Sequence, residues 1–157
     1  MKIKLIVVGK TNAKYLAEGE KEYEKRLSNY IKYEEIIIPD VKNSGKLSEN
    51  ELKKKEGQLI LGKIDNNEHI ILLDDKGKSH SSVEFANFLQ QKMNSSLKSL
   101  VFVVGGAFGF SDKVYQRANS KLSLSKMTFS HQMVRLIFKE QLYRGLSILR
   151  GEKYHHE

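Results

Sequence analysis

Five consecutive apolar residues, Leu100 to Val104, end abruptly in Gly105-Gly106-Ala107-Phe108-Gly109. An apolar run of that length without alternation reads as a strand buried on both faces, and the glycines after it predict a tight loop. A buried strand of this kind needs layers on both sides. The chain supplies them by alternating strand-like and helix-like stretches from end to end, the pattern of an α/β domain with a mainly parallel sheet and helices on both faces. In such sheets ligands bind beyond the carboxyl ends of the strands. Glycine at such an end lets backbone come close to a ligand, because no Cβ intervenes. An ordinary βαβ unit with small residues at its turns carries the same spacing, so the pattern by itself leaves both readings open.

The other elements are read in chain order. Lys2–Val8 predicts a first strand, Tyr15–Tyr30 a helix with Leu16, Tyr23, Leu27 and Tyr30 on one face, and Tyr33–Ile38 a β-branched second strand stopped by Pro39. Ser48-Glu49-Asn50-Glu51 has the form of a capping box opening a helix to about Ile64. His69–Leu73 predicts another buried strand, with Asp74–Lys78 as a loop at its carboxyl end. Ser81–Glu84 caps a third helix. A short helix over Ser111–Ala118, a strand over Lys121–Ser125 and a long last helix, with Ser130 near its cap, complete the chain. No repeat or linker divides residues 1–157, which predicts one domain.

Several chemistries lack their residues. Gly9-Lys10-Thr11 has the tail of a phosphate-binding P-loop, but Lys4 stands where the motif needs a glycine. No strand leads into G-x-G-x-x-G, no G-x-S-x-G elbow is present, and the five histidines are too scattered for a zinc site. There is no cysteine, the N-terminus has no signal-peptide pattern, and no apolar stretch approaches a membrane span. We therefore expect a cytoplasmic protein that binds no membrane and no metal. Residues 111–157 carry 9 basic and 4 acidic side chains, +5 of the total +8. Beside a ligand site, that charge suits a polyanion such as RNA; a solvated basic surface without a partner fits it as well.

The most specific features are Leu72-Leu73-Asp74 with Gly77-Lys78, the glycine loop at 105–109, Leu122–Thr128 (LSLSKMT), His131-Gln132-Met133-Val134-Arg135, Glu140-Gln141-Leu142-Tyr143-Arg144, and the tail Gly151-Glu152-Lys153-Tyr154-His155. In this order and spacing they resemble the RlmH family, SPOUT-class methyltransferases that act on a pseudouridine in helix 69 of 23S ribosomal RNA. The resemblance covers the whole chain. It implies a SPOUT fold with a deep C-terminal trefoil knot, its cofactor region at about residues 100–157, and a homodimer using S-adenosylmethionine (SAM). It further implies methylation of N3 of the pseudouridine, with the assembled ribosome as substrate. The residues that match the family's cofactor site are Leu73, Gly105, Gly106, Leu124, Ser125, Lys126, Met127, Thr128 and Phe129. Arg135, Arg144 and His131 are candidates for RNA contact, and His155 is the candidate catalytic residue, with His156 and Glu157 following it. Each has a plainer reading: Leu73, Leu124 and Met127 as core, Ser125 and Thr128 as loop hydroxyls, the arginines as surface, His131 as a helix-start residue.

Two alternatives stand beside this. Another SPOUT enzyme would methylate a ribose 2′-OH or a tRNA base, and a non-catalytic RNA-binding protein could keep the fold. The last helix adds a further expectation. Met133, Val134, Leu136, Ile137, Phe138, Leu142, Leu146, Ile148 and Leu149 surround most of the helical wheel. A helix packed on one sheet needs an apolar stripe of only about 100° or somewhat more. The excess predicts an isologous contact with a second copy, and the tail after Gly151 would then be free to close over the partner's cofactor.

Overall fold

The apolar stretches pair into one five-stranded sheet, entirely parallel, in the order β2-β1-β4-β3-β5. The computed structural model describes residues 1–156; Glu157 lies outside the described residues. The strands are β1 (Lys2–Val8), β2 (Lys32–Ile38), β3 (His69–Ser79), β4 (Ser99–Val104) and β5 (Ser120–Ser123). The helices are α1 (Lys14–Leu27), α2 (Glu49–Leu61), α3 (Ser82–Met93), α4 (Asp112–Arg117) and α5 (Met133–Leu149).

Side chains two apart along a strand point to the same face. Ile3, Leu5 and Val7 of β1 therefore join Leu100, Phe102 and Val104 of β4 under α1, α3 and α5. Ile6, Val8, Val101 and Val103 face the other way, under α2 and α4. The first core is the larger. There Phe102 meets Phe138 of α5 at 4.7 Å between ring centroids, a contact between two completely buried side chains. The caps follow local chemistry. Ser81 and Glu84 form a complete capping box on α3, whereas on α2 the Ser48 hydroxyl accepts from the Glu51 N–H.

Two features differ from the sequence reading. β3 does not stop at Leu73: after a bulge over Asp74–Gly77 it pairs with β5 again at Lys78 and Ser79. Gly77 lies so close to β5 that a Cβ would stand 2.7 Å from the Leu122 nitrogen, so only glycine lets the bulged strand pass. The second concerns α5, which packs on α1 and α3 as well as on the sheet. Gly19 of α1 is the seat for Leu136, and Gly145 of α5 approaches Ala86 and Leu89 of α3. Two flanking helices take up much of the apolar circumference that sequence reasoning assigned to a second copy.

The chain's route positions the site. It leaves β4 for α4 on the α2 side and returns as β5 at the far edge. Residues 124–132 then cross the carboxyl ends of β3 and β4 to reach β1, where Gln132 bonds Lys10 and Asn12.

Candidate functional site: a cleft beyond the strand ends

That crossing encloses a cleft of 590 Å³, bounded by Leu73–Lys76 at the β3 bulge, Val104–Phe110 at and beyond the end of β4, and Leu122–His131. The volume suits a small-molecule site, where about 300–1,000 Å³ is usual. Of the residues matched to a cofactor site, Leu73, Gly105, Gly106, Leu124, Ser125, Met127, Thr128 and Phe129 line it; Lys126 points into solvent outside the lining. Leu73 and Leu124 are anchored against the core, while Met127 is 77% exposed at the mouth, an apolar wall with no protein partner. The loop is shaped by its own hydroxyls: Ser123 donates to the Ser125 carbonyl at 2.8 Å, and the Met127 N–H donates to Ser125 Oγ at 3.0 Å. Such an arrangement can hold a flat apolar ring between side chains while loop backbone and hydroxyls read its polar edge.

The glycine loop is also crowded by the protein's own side chains. A Cβ on Gly106 would stand 2.7 Å from both carboxylate oxygens of Glu56, and one on Gly105 would stand 3.1 Å from the Phe110 ring. The protein's own packing crowds both positions, so a side chain there would have to displace Glu56 or the Phe110 ring. Glu56 is buried on α2 behind the loop, and burial, with Asp40 nearby, raises its carboxyl above the ordinary range. No local signal links Glu56 to a loop fifty residues later, so the sequence reading missed it.

Asp74 and Asp75 stand outside the residues matched to the cofactor site. Both line the cleft, with Lys76 beside them. The Tyr115 hydroxyl donates to Asp74 Oδ2 at 2.5 Å and the Lys76 N–H to Oδ1 at 2.9 Å. Burial alone would raise the Asp74 carboxyl, but these hydrogen bonds outweigh it and hold it below the ordinary value.

The candidate RNA-binding residues separate. His131 lines the cleft, and burial, reinforced by Arg135, depresses its imidazole below the usual value. Arg135 is only 1% exposed. It donates to the carbonyls of Val8 at 2.6 Å, Gly9 at 2.8 Å and His131 at 3.1 Å, and to Thr11 Oγ1 at 3.3 Å. Its guanidinium clamps α5 to the end of β1 and has no edge left for a phosphate, which corrects the RNA-contact expectation. Arg144 is half-buried in a polar cluster. Its Nε and Nη2 donate to Glu140 Oε1 at 3.0 and 2.6 Å, over the Tyr154 ring at 4.7 Å.

His155 belongs to that cluster, with Nδ1 facing Arg144 Nη1 at 3.2 Å. A guanidinium only donates, so Nδ1 accepts and the ring's proton sits on Nε2. Nε2 is closed off without a partner among the described residues. The tail is therefore docked, not free. Tyr154 bonds Tyr23 at 3.2 Å and Glu140 at 3.1 Å, Tyr30 donates to Glu152, and the Glu152 N–H reaches the Ser147 carbonyl. Val134 lines the cleft. Arg144 is ten residues further along α5, about 15 Å at the helical rise. His155 and the cleft of its own chain are thus apart.

Among the described residues no group of three or more His, Asp or Glu side chains is placed to hold a metal ion, and no helix is long and apolar enough to cross a membrane.

Comparison with known proteins accounts for this architecture. Residues 1–155 match the family described as "Predicted SPOUT methyltransferase". The chain is 58% identical over 157 residues to the ribosomal RNA large subunit methyltransferase H of Flavobacterium johnsoniae, covering 100% of both chains. It is 55% identical over 157 residues to that of Parabacteroides distasonis, again covering 100% of both. With the protein of that name from Cytophaga hutchinsonii, identity is 53% over 156 residues, covering 99% of this chain and 100% of the other. A match along nearly the whole length, with the strand-end cleft formed by the segments that carried the resemblance, places this chain in the SPOUT methyltransferase family.

Proposed function

We propose that this chain, acting in the cytoplasm as a homodimer with a knotted C-terminal third, transfers a methyl group from SAM to N3 of a pseudouridine in helix 69 of large-subunit ribosomal RNA. The carrying observation is the cleft: the segments matched to the family's cofactor site, remote in sequence, meet beyond the strand ends around a volume of cofactor size. The full-length likeness to proteins named as ribosomal RNA methyltransferases supports the substrate class.

When bound, SAM would supply a methyl group on a sulfonium, which carries its own leaving group. Leu73, Leu124, Met127 and Phe129 would cover the adenine faces, and the 124–129 and 105–106 backbones would read its edge and support the rest. The remaining work is to place the nucleobase in line and let its imide N3–H lose a proton. His131 at the mouth is suited to contact the RNA. Because His155 bonds Arg144, itself about 15 Å along α5 from the cleft-lining Val134, we assign a role for it at the reacting base to the tail of a second copy. The half-buried apolar residues Met133 and Ile137, left after α1 and α3 are packed, support such a contact.

The test supplies methyl-labelled SAM to ribosomes lacking the modification and maps the labelled nucleoside. Label on N3 of a helix 69 pseudouridine is expected. Label on ribose or tRNA would reassign the substrate, and SAM binding without transfer would favour a non-catalytic RNA-binding protein. Mixing a chain truncated before Tyr154 with a Thr128→Arg chain, whose cleft is filled, tests the shared site: activity should return in verified heterodimers, and its absence would refute the cross-subunit tail.

A further inference from the structure

A chain of net charge +8 places two carboxylates, Asp74 and Asp75, on the wall of this cleft. Lys76 and His131 are the basic side chains of the same lining. Asp74 is held in place: the Tyr115 hydroxyl and the Lys76 N–H each bond one of its oxygens. Asp75 is exposed at the mouth, its Oδ2 3.5 Å from the hydroxyl of Thr128 in the crossing segment. The β3 bulge over Asp74–Gly77 is what turns this acidic pair out of the strand ladder and into the cleft. A strand continuing in register through Asp74 and Asp75 would have spent them along β5.

We propose that Asp74 and Asp75 make the cleft selective for the cationic methyl donor over the neutral product of transfer. This rests on the reading that SAM occupies the cleft. The chemistry supplies the distinction. In the reaction the S–CH3 bond breaks, its electron pair stays on sulfur, and the N3–CH3 bond forms as the N3 proton leaves to solvent. The sulfonium thereby becomes an uncharged thioether, while the adenosine and amino-acid ends are unchanged. S-adenosylhomocysteine thus differs from SAM by one methyl and one positive charge. Walls that read adenine bind both alike; only a charged wall separates them. The argument needs no particular pose. A 590 Å³ volume taken as a sphere is about 10 Å across, comparable with the Debye length of about 8–10 Å at moderate salt, so a sulfonium anywhere inside feels both carboxylates. Loss of that attraction on turnover favours release of the product and rebinding of donor.

Calorimetric titration of the full-length protein with SAM and with S-adenosylhomocysteine tests this without any turnover. Asp75→Asn keeps the shape and removes one charge; it should weaken SAM about three- to tenfold, the range expected of one partly screened charge at such distances, and leave S-adenosylhomocysteine within about twofold. Asp74→Asn should shift the ratio in the same direction. Raising salt should lower the wild-type preference for SAM and affect the double variant less. Equal losses for both ligands would mean that the aspartates only shape the wall, and an unchanged ratio in both variants would mean that they do not sense the charge; either result overturns the proposal. If wild-type protein binds neither ligand, the cofactor reading itself fails, which is a distinguishable result.

Discussion

Replacing Lys139 by methionine should be among the most damaging single changes in the molecule. Lys139 lies mid-helix in α5, its side chain fully buried, with Nζ 2.8 Å from Glu20, 2.8 Å from Glu24 and 3.0 Å from Glu35. Three carboxylates on one ammonium leave excess negative charge in a shielded place. Burial and the hydrogen bond with Glu24 push the Glu35 carboxyl up to about 7, against the pull of Lys139. For Glu24, burial is outweighed by hydrogen bonds from Glu35 and Lys139, which hold it low. Glu35 therefore gains or loses its proton around neutrality, while Glu24 is held ionised. Methionine fills the space but removes the cation. Breaking a buried ion pair by removing one partner costs about 3–5 kcal/mol, and the lower end applies where protonation relieves the carboxylates. The loss should therefore be larger at pH 8 than at pH 5. The sign follows from linkage: a carboxyl raised in the folded state binds more protons there than when unfolded. Because Lys139 pulls Glu35 down, removing that cation raises the carboxyl further and steepens the loss with rising pH. Its stabilising contribution is complete below about pH 4.5 and is lost as pH rises through about 7. Urea unfolding at both pH values, at fixed protein concentration, measures this; adding Glu35→Gln to Lys139→Met should recover part of the loss at pH 8. A cost below about 1 kcal/mol, near the median for point mutants, or one independent of pH, would refute this account of the cluster.

Two other outcomes follow from the geometry. Gly106→Ala should destabilise by about 1–3 kcal/mol, as overpacking does, and by at least about 0.5 kcal/mol less in a Glu56→Ala background, because the Cβ collides with that carboxylate; additive costs would show that the loop is constrained from elsewhere. Arg135→Ala should lower the unfolding midpoint through the carbonyls it leaves unpaired, while the salt dependence of RNA binding by the folded variant stays as in wild type. A flattened salt slope, the signature of a lost phosphate contact, would restore Arg135 to the RNA surface.

The sequence by itself determined what depends on neighbours along the chain. The unbroken apolar run of β4 marked a strand buried on both faces, Lys2–Val8 marked a first strand, and Ser81 with Glu84 announced the start of α3. The ordered motifs identified the family and, through it, which loops would form the cleft. Partners far along the chain were invisible. Arg135 read as a candidate for RNA contact, and nothing near Lys139 in the chain marks it as buried, because their acceptors at Val8, Gly9, Glu20, Glu24 and Glu35 come from β1, its following loop, α1 and β2. The crowding of Gly106 was invisible, because Glu56 arrives behind it from α2, some fifty residues earlier. The tail read as free, because Tyr23 and Tyr30, which dock it, lie in and just after α1. Helical and strand periodicity record which side of an element turns away from water, since burial of apolar area depends little on what covers it. The partner of a buried charge is a matter of direction and distance, and only the packed tertiary structure, which brings remote carbonyls and carboxylates within hydrogen-bonding reach, decides it.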